Sequence, residues 1–212
     1  MPVALPCLCL DGTRRERVRG GVWDGQRWIA ELEIEGNPAD IISPLVEGLL
    51  NLADLSLKQL GSIAVNLGPG SILGIRATAV SAATWAELLK ITAHGWSGHR
   101  AAAFAAAGTC EGIVSEGRDG HWVLQATGPT GPEGSLREVE PAQVSRLQLR
   151  PLLGGFRHTL PPTLGESVDA WPSLPEIFST HGLPGLTTQL EALNAPGVYA
   201  LWSGTRHPKA TL

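Results

Sequence analysis

The sequence predicts an α/β protein built as two subdomains of mixed sheet plus helices, residues 1–97 and 98–212, the second smaller and degraded. Three observations carry this reading. Strand and helix patterns in the first half follow the order β-β-β-α-β-α. A buried strand, a glycine-rich turn and a long alanine-rich helix follow one another without a break from Ile63 to Lys90. After Lys90 proline and glycine become dense and the periodicity weakens. No internal repeat is visible in the sequence.

Composition narrows the classes open to the chain. Its 212 residues, 43% hydrophobic and 17% charged, suffice for a substantial core. A formal charge of -4 gives no electrostatic basis for binding nucleic acid directly. Cys7, Cys9 and Cys110 are too few, and odd in number, for a disulfide framework, which fits a reduced cytoplasm. The opening Pro2-Val3-Ala4-Leu5-Pro6-Cys7-Leu8-Cys9-Leu10 lacks a basic leader region and is too short to span a bilayer, so neither export nor a membrane segment is expected.

Taken in order, Val3–Leu10, Arg17–Trp23 and Arg27–Ile34 read as strands, with Asp24-Gly25 as the hairpin signal between the last two. Ile42, Leu45, Val46, Leu49 and Leu50 recur at helical spacing within Ala39–Ala53, after the start signal Asn37-Pro38. Ser56–Leu60 reads as a capped turn and Ile63–Leu67 as a buried strand. Gly68-Pro69-Gly70 ends that strand and Ser71 caps the next helix. This order is that of ribonuclease H-like and actin-like ATPase folds. Two meanings of the turn stay open: a sharp reversal that needs glycine for steric reasons, or a nest of N–H groups that holds an anion such as phosphate.

The helix from Ile72 to Lys90 is unusually rich in small side chains. Ile75, Ala79, Ala82, Ala86 and Leu89 form one stripe and Thr78, Ser81 and Trp85 a neighbouring one. Such a helix packs closely on its own sheet or on a helix of another chain; Ile75, Thr78, Ala79, Ala82, Ala83, Trp85, Ala86 and Leu89 are the candidate interface residues. Beyond it, His94–His99 reads as an inter-subdomain loop with solvated histidines, five apart and so off the i, i+4 spacing of a helical metal site. Residues 112–115 and 121–126 read as strands joined by a turn at Gly117–Gly120, and Gly128–Gly134 as a mobile loop. Pro141–Leu147 and Pro175–His181 read as helical, Leu149–Leu153 and Val198–Trp202 as short strands, and Pro161–Pro172 as a loop.

Catalytic patterns are mostly missing. A ribonuclease H-like nuclease needs several carboxylates converging on metal ions; Asp11 and Glu47 supply two, but the fourth strand ends in Asn66-Leu67-Gly68. No Gly-Lys-Ser/Thr follows the glycines, which excludes a P-loop, and Pro69 stands where a serine-hydrolase elbow needs glycine. The fold alone leaves room for a sugar or acid kinase, for which Asp11-Gly12-Thr13 is the single candidate phosphate turn.

The stretch Gly68-Pro69-Gly70-Ser71-Ile72-Leu73-Gly74-Ile75-Arg76 resembles the G-P-G-S-F-T-G-L-R signature of the TsaB (YeaZ) family, the non-catalytic actin-like subunit in threonylcarbamoyladenosine modification of tRNA. The likeness extends to Leu10-Asp11-Gly12-Thr13, to Ile42-Ser43-Pro44-Leu45 and to Leu55–Val65, and more faintly to Arg118-Asp119-Gly120-His121-Trp122. Ile72 and Leu73 stand where the family has phenylalanine and threonine, Gly12 where it has a small residue, and Pro38 where it has histidine. The resemblance implies a divergent, non-catalytic scaffold, without metal or catalytic residues, that pairs helix to helix with the catalytic threonylcarbamoyl transferase subunit or with a second copy. It implies Asp11, Gly12, Thr13, Gly68, Gly70 and Ser71 as the candidate nucleotide or anion turn, with ATP or ADP bound only weakly or in the complex. The alternative from another class is a stand-alone actin-fold phosphoryl-transfer or peptidase-like enzyme.

Overall fold

The structure, a computed structural model, describes residues 3–117, 119–156, 161 and 163–187. The first five strands are β1 (Cys7–Asp11), β2 (Arg17–Trp23), β3 (Trp28–Glu35), β4 (Ser62–Asn66) and β5 (Thr92–Trp96), arranged in the order β3-β2-β1-β4-β5. β1, β2 and β3 form an antiparallel meander, while β1, β4 and β5 run parallel, with Leu8 opposite Ile63 and Leu10 opposite Val65. Parallel neighbours need crossovers, and the helices α1 (Pro38–Ala53) and α2 (Ile72–Leu89) lie in them.

Side-chain alternation along the strands gives this sheet two different faces. Leu8, Leu10, Val18, Val22, Ile63 and Val65 meet Ile42, Leu45, Val46 and Leu49 of α1 and Ala79 and Ala82 of α2. The Asn37 side chain accepts from the Ala39 N–H at 3.2 Å to start α1, and Ser71 Oγ accepts from the Gly74 N–H at 3.3 Å to start α2. Asp54 and Lys90, both left-handed at φ 54° and 58°, end them. Helix α2 has the length and mean hydropathy (1.2 over 18 residues) that would also suit a membrane span, yet its Ile75, Thr78, Ala79, Ala82 and Ala86 are buried.

A second sheet has the order β8-β7-β6-β9, from β6 (Gly112–Glu116), β7 (Trp122–Gly128), β8 (Gly131–Val139) and β9 (Leu149–Pro151). It repeats the order of the first four strands: an antiparallel meander, then a parallel partner beside the first strand. A 3-10 turn at Pro141–Val144 replaces the crossover helix. Helix α3 (Gly98–Ala105) packs Ala102 and Ala103 on Ile113, while Val114, Leu124 and Val139 form a separate core. The chain then returns to the first sheet: a 3-10 turn at Trp171–Ser173 and helix α4 (Leu174–His181) cover its second face. The fold is the actin-like ATPase (ribonuclease H-like) one.

Two expectations are corrected. His94 lies in β5 and His99 in the first turn of α3, both buried, because Trp96 and the alanines of α3 fill the space that a solvated loop would leave open. Residues 128–134 are the end of β7 and the start of β8, joined by the two-residue turn Pro129-Thr130, and Gly131 (φ 140°), the first residue of β8, lies under Phe104. The expected strand at Val198–Trp202, and Arg118 of the faint likeness, lie outside the described residues.

Candidate functional site

Because β1 and β4 are parallel neighbours, their C-terminal residues Asp11 and Asn66 arrive side by side, and the turns that follow meet above them. Asp11 Oδ1 accepts from the Thr13 N–H at 2.8 Å and from Thr13 Oγ1 at 2.6 Å, and its Oδ2 accepts from Asn66 Nδ2 at 3.0 Å. Asn66 Oδ1 accepts from the Gly68 N–H at 2.9 Å. The Ser71 N–H donates to the Thr13 carbonyl at 2.6 Å and the Gly98 N–H to the Gly68 carbonyl at 3.0 Å. Asp11, Gly12, Thr13, Gly68, Gly70 and Ser71 therefore occupy one region. Asn66 joins them; the sequence reading noted it only as the missing acid, although an amide beside a carboxylate at the end of a parallel strand pair is a signal for such a bridge.

The turns fit together without space for a side chain. A Cβ at Gly12 would lie 2.5 Å from the Gly74 carbonyl oxygen, and one at Gly74 would lie 2.0 Å from that of Gly12. At Gly70, with φ 155°, a Cβ would meet the Thr13 carbonyl oxygen at 2.3 Å. The N–H groups of Gly68, Ser71 and Gly74 are already bonded within the protein. This arrangement accounts for the glycines by close backbone approach. The adjoining cavity, lined by Asp11, Asn66, Arg19, Asp169, Trp171 and Leu174 among others, holds about 30 Å³. That is an order of magnitude below a small-molecule pocket of about 300 Å³ or more.

The charges around this cavity are internally balanced. Glu33 Oε2 accepts from Arg14 at 2.8 Å and Arg19 at 2.9 Å, and its Oε1 from Arg17 at 3.1 Å; Arg17 also pairs with Glu35. Burial works against the Glu33 carboxylate, but the arginines outweigh it and hold its pKa below the usual value. Arg19 also reaches Asp169 at 2.9 Å, and although burial disfavours its charge, Asp169 and Glu33 together raise its pKa. Burial lowers the pKa of His94 and pushes that of His99 down to about 4. Among the described residues no three His, Cys, Asp or Glu side chains gather as a metal-ligand set.

The expected partner face of α2 needs correction. Ile75, Thr78, Ala79, Ala82 and Ala86 face the protein's own interior, Trp85 and Leu89 are half-buried, and of the eight candidates Ala83 alone is exposed. The contact between Gly12 and Gly74 brings α2 so close to the sheet that its small residues are needed on the inner side. Outward project Ile72, Leu73, Val80 and Leu88, exposed by 44%, 60%, 63% and 74%, with Arg76, Thr84 and Glu87 among them. Leu73, Ala77, Val80, Thr84 and Leu88 are spaced by four, three, four and four, which places them on one stripe. That spacing is the sequence signal of the outward face, and the small residues of α2 mark its inward one.

Comparison with known proteins bears on the fold and on the family resemblance. Residues 36–124, less than half of the chain, match the family described as TsaD, tRNA N6-adenosine threonylcarbamoyltransferase. The fold is similar to YeaZ from Pseudomonas aeruginosa (TM-score 0.58, 18% identity, 84% of this chain and 97% of that one). A Pseudomonas aeruginosa protein described as uncharacterized, with similarity to peptidase YeaZ, matches likewise (TM-score 0.56, 18% identity, again 84% and 97%). No curated protein matches the sequence. The signature at Gly68–Arg76, the family match that includes it and the fold together support the resemblance to the TsaB (YeaZ) family.

Proposed function

We propose that this chain is a divergent TsaB (YeaZ)-type subunit that acts in threonylcarbamoyladenosine modification of tRNA without catalysis of its own. It associates through the outer stripe of α2 with an actin-fold threonylcarbamoyl transferase, or with a second copy of itself, in the cytoplasm. The observation that carries the reading is the outer face of that helix: four large apolar side chains, Leu73, Val80 and Leu88 on the stripe and Ile72 beside it, stand in solvent while the inner side already serves the core. The family signature runs into the first turn of the same helix. The internally bonded turn and the small cavity favour a scaffold over a nucleotide-using enzyme, and ATP or ADP would bind weakly or only in the complex.

The test is a pair of outward substitutions, Val80→Glu and Ala83→Glu, with association read by size exclusion with light scattering and by capture of the purified transferase. The wild-type chain is expected to dimerise or to form a complex with the transferase, and the substituted chain to stay folded and alone. A wild-type chain that is monomeric and binds no transferase, or a variant that associates normally, overturns the proposal. The second reading, an actin-fold phosphoryl-transfer enzyme, draws on the place of Asp11 at the end of β1. Magnesium-dependent ATP hydrolysis abolished by Asp11→Asn would establish it instead.

A further inference from the structure

Residues 169–181 lie across the second face of the first sheet, and Asp169, Ala170, Trp171 and Leu174 line the cavity beside Asp11 and Asn66. The Trp171 ring stacks on Trp28 at 5.0 Å and 15°, and its Nε1–H donates to Glu31 Oε2 at 2.6 Å. Asp169 accepts from Arg19 at 2.9 Å and from the Trp171 N–H at 3.0 Å, and the Arg19 guanidinium stands 5.4 Å above the Trp171 ring. Leu174, Ile177 and Phe178 are buried in one cluster with Cys7, Cys9, Trp23 and Trp96. Ser179 Oγ donates to the Gly25 carbonyl at 2.9 Å and His181 stacks on Phe104 at 4.2 Å; at its flanks the segment touches the two sheets through isolated bridges, Val168 with Leu152 and Thr187 with Gly95, and among the described residues it joins no ladder. Side chains fasten it, where every strand beneath it is fastened by backbone bonds.

We infer that residues 169–181 form a strap that lifts from the first sheet as a unit, latched by Arg19–Asp169, Trp171–Glu31 and Ser179–Gly25, and that its lifting widens the space beside Asp11 and Asn66 while both sheets stay folded. A segment with its own helical turns and no ladder bonds to the rest is the kind of unit that opens below the global unfolding free energy. With the strap down, the space beside Asp11 is about 30 Å³, far below a small-molecule pocket, and lifting the strap enlarges it. The gate is thus built from the chain itself and is independent of the outer stripe of α2.

The cysteines report on this directly. Cys7 and Cys9 lie in the cluster that the strap covers, whereas Cys110 is buried in the cluster around Ala102, Ala103 and Ile113, against which Ala170 of the strap packs at one edge. Labelling of the intact chain with an aromatic disulfide, resolved by peptide mass mapping, gives three rates in one sample. Asp169→Asn removes a charge-assisted bond and is expected to speed labelling of Cys7 and Cys9 about tenfold or more, with that of Cys110 unchanged. In the wild type, labelling of Cys7 and Cys9 is expected to depend less on urea than that of Cys110, because strap opening exposes less surface than unfolding. If all three thiols accelerate together in Asp169→Asn, if none does, or if their urea dependences coincide in the wild type, the strap is not a separate unit.

Discussion

The two faces of the first sheet are made from alternate residues of the same strands, yet they are covered in opposite ways. The helix face is aliphatic, and its cover, α1 and α2, comes from the crossovers within the same stretch of chain. The other face is aromatic, and its cover arrives from far along the sequence, Trp171 bonding Glu31 across 140 residues. Phe178 alone touches Trp23, Trp28 and Trp96, at centroid distances of 5.5, 6.4 and 5.7 Å. The contrast follows from cover length. Helices of 16 and 18 residues bury enough surface with leucine and alanine, whereas an 8-residue helix and one turn need rings that each bury roughly 150–250 Å².

If the aromatic face is a core of equal standing, Trp171→Ala should lower the unfolding free energy by about 3–5 kcal/mol in urea titrations, as much as truncating a buried leucine on the helix face. A loss below about 1 kcal/mol would break the comparison, because it would make that face a surface with a loose cover. The seam beneath α3 gives the next largest effect. His99 has its pKa lowered by burial to about 4 from 6.5. The unfolded chain takes up the proton as pH falls through about 6.5, and the folded chain does so only near 4. Stability should therefore fall across that window, by at most about 3 kcal/mol, and recover as pH rises. His99→Gln should flatten most of this slope in melts between pH 7 and 4.5. The slope left to His94 lies in the same direction, and that of Glu33, whose pKa is lowered, sets in below the ordinary value of 4.5.

How far the two faces were legible from the chain follows the same division. Asp24-Gly25, the periodicity of Ile42–Leu50 and the run from Ile63 through Ser71 are local signals, and each gave its element in place. Asp11, Gly12, Thr13, Gly68, Gly70 and Ser71 were readable as turns for that reason, and parallel pairing then brought them together. His94 and His99 read as solvated because they are polar and flanked by glycines; only the packing of β5 and α3 buries them. Nothing near Asp169 or Trp171 marks them as the cover of a sheet 140 residues earlier, whereas the outward set on α2 is legible in its spacing, and the depth of the Gly12–Gly74 contact shows which side of the helix faces out.

Two smaller effects sharpen the comparison on the helix side. Gly74→Ala should cost about 1–3 kcal/mol, read as a lower Tm, because α2 cannot keep its place with a methyl group against the Gly12 carbonyl. Leu88→Gln, on the outward stripe at 74% exposure, should leave the stability of the isolated chain within about 0.5 kcal/mol of wild type. A larger loss from Leu88→Gln would mean that the stripe has an intramolecular role.

The meeting of Gly12 and Gly74 also sets a rule of inheritance for the chain. Each position is barred from a side chain by the other's backbone, so no change at one can license a change at the other. A descendant that gained a methyl group at either would have to move the start of α2 away from the end of β1. The outer stripe rides on that helix and would be displaced with it, so drift at a site with no exposed surface of its own would be felt first as a partner that no longer fits.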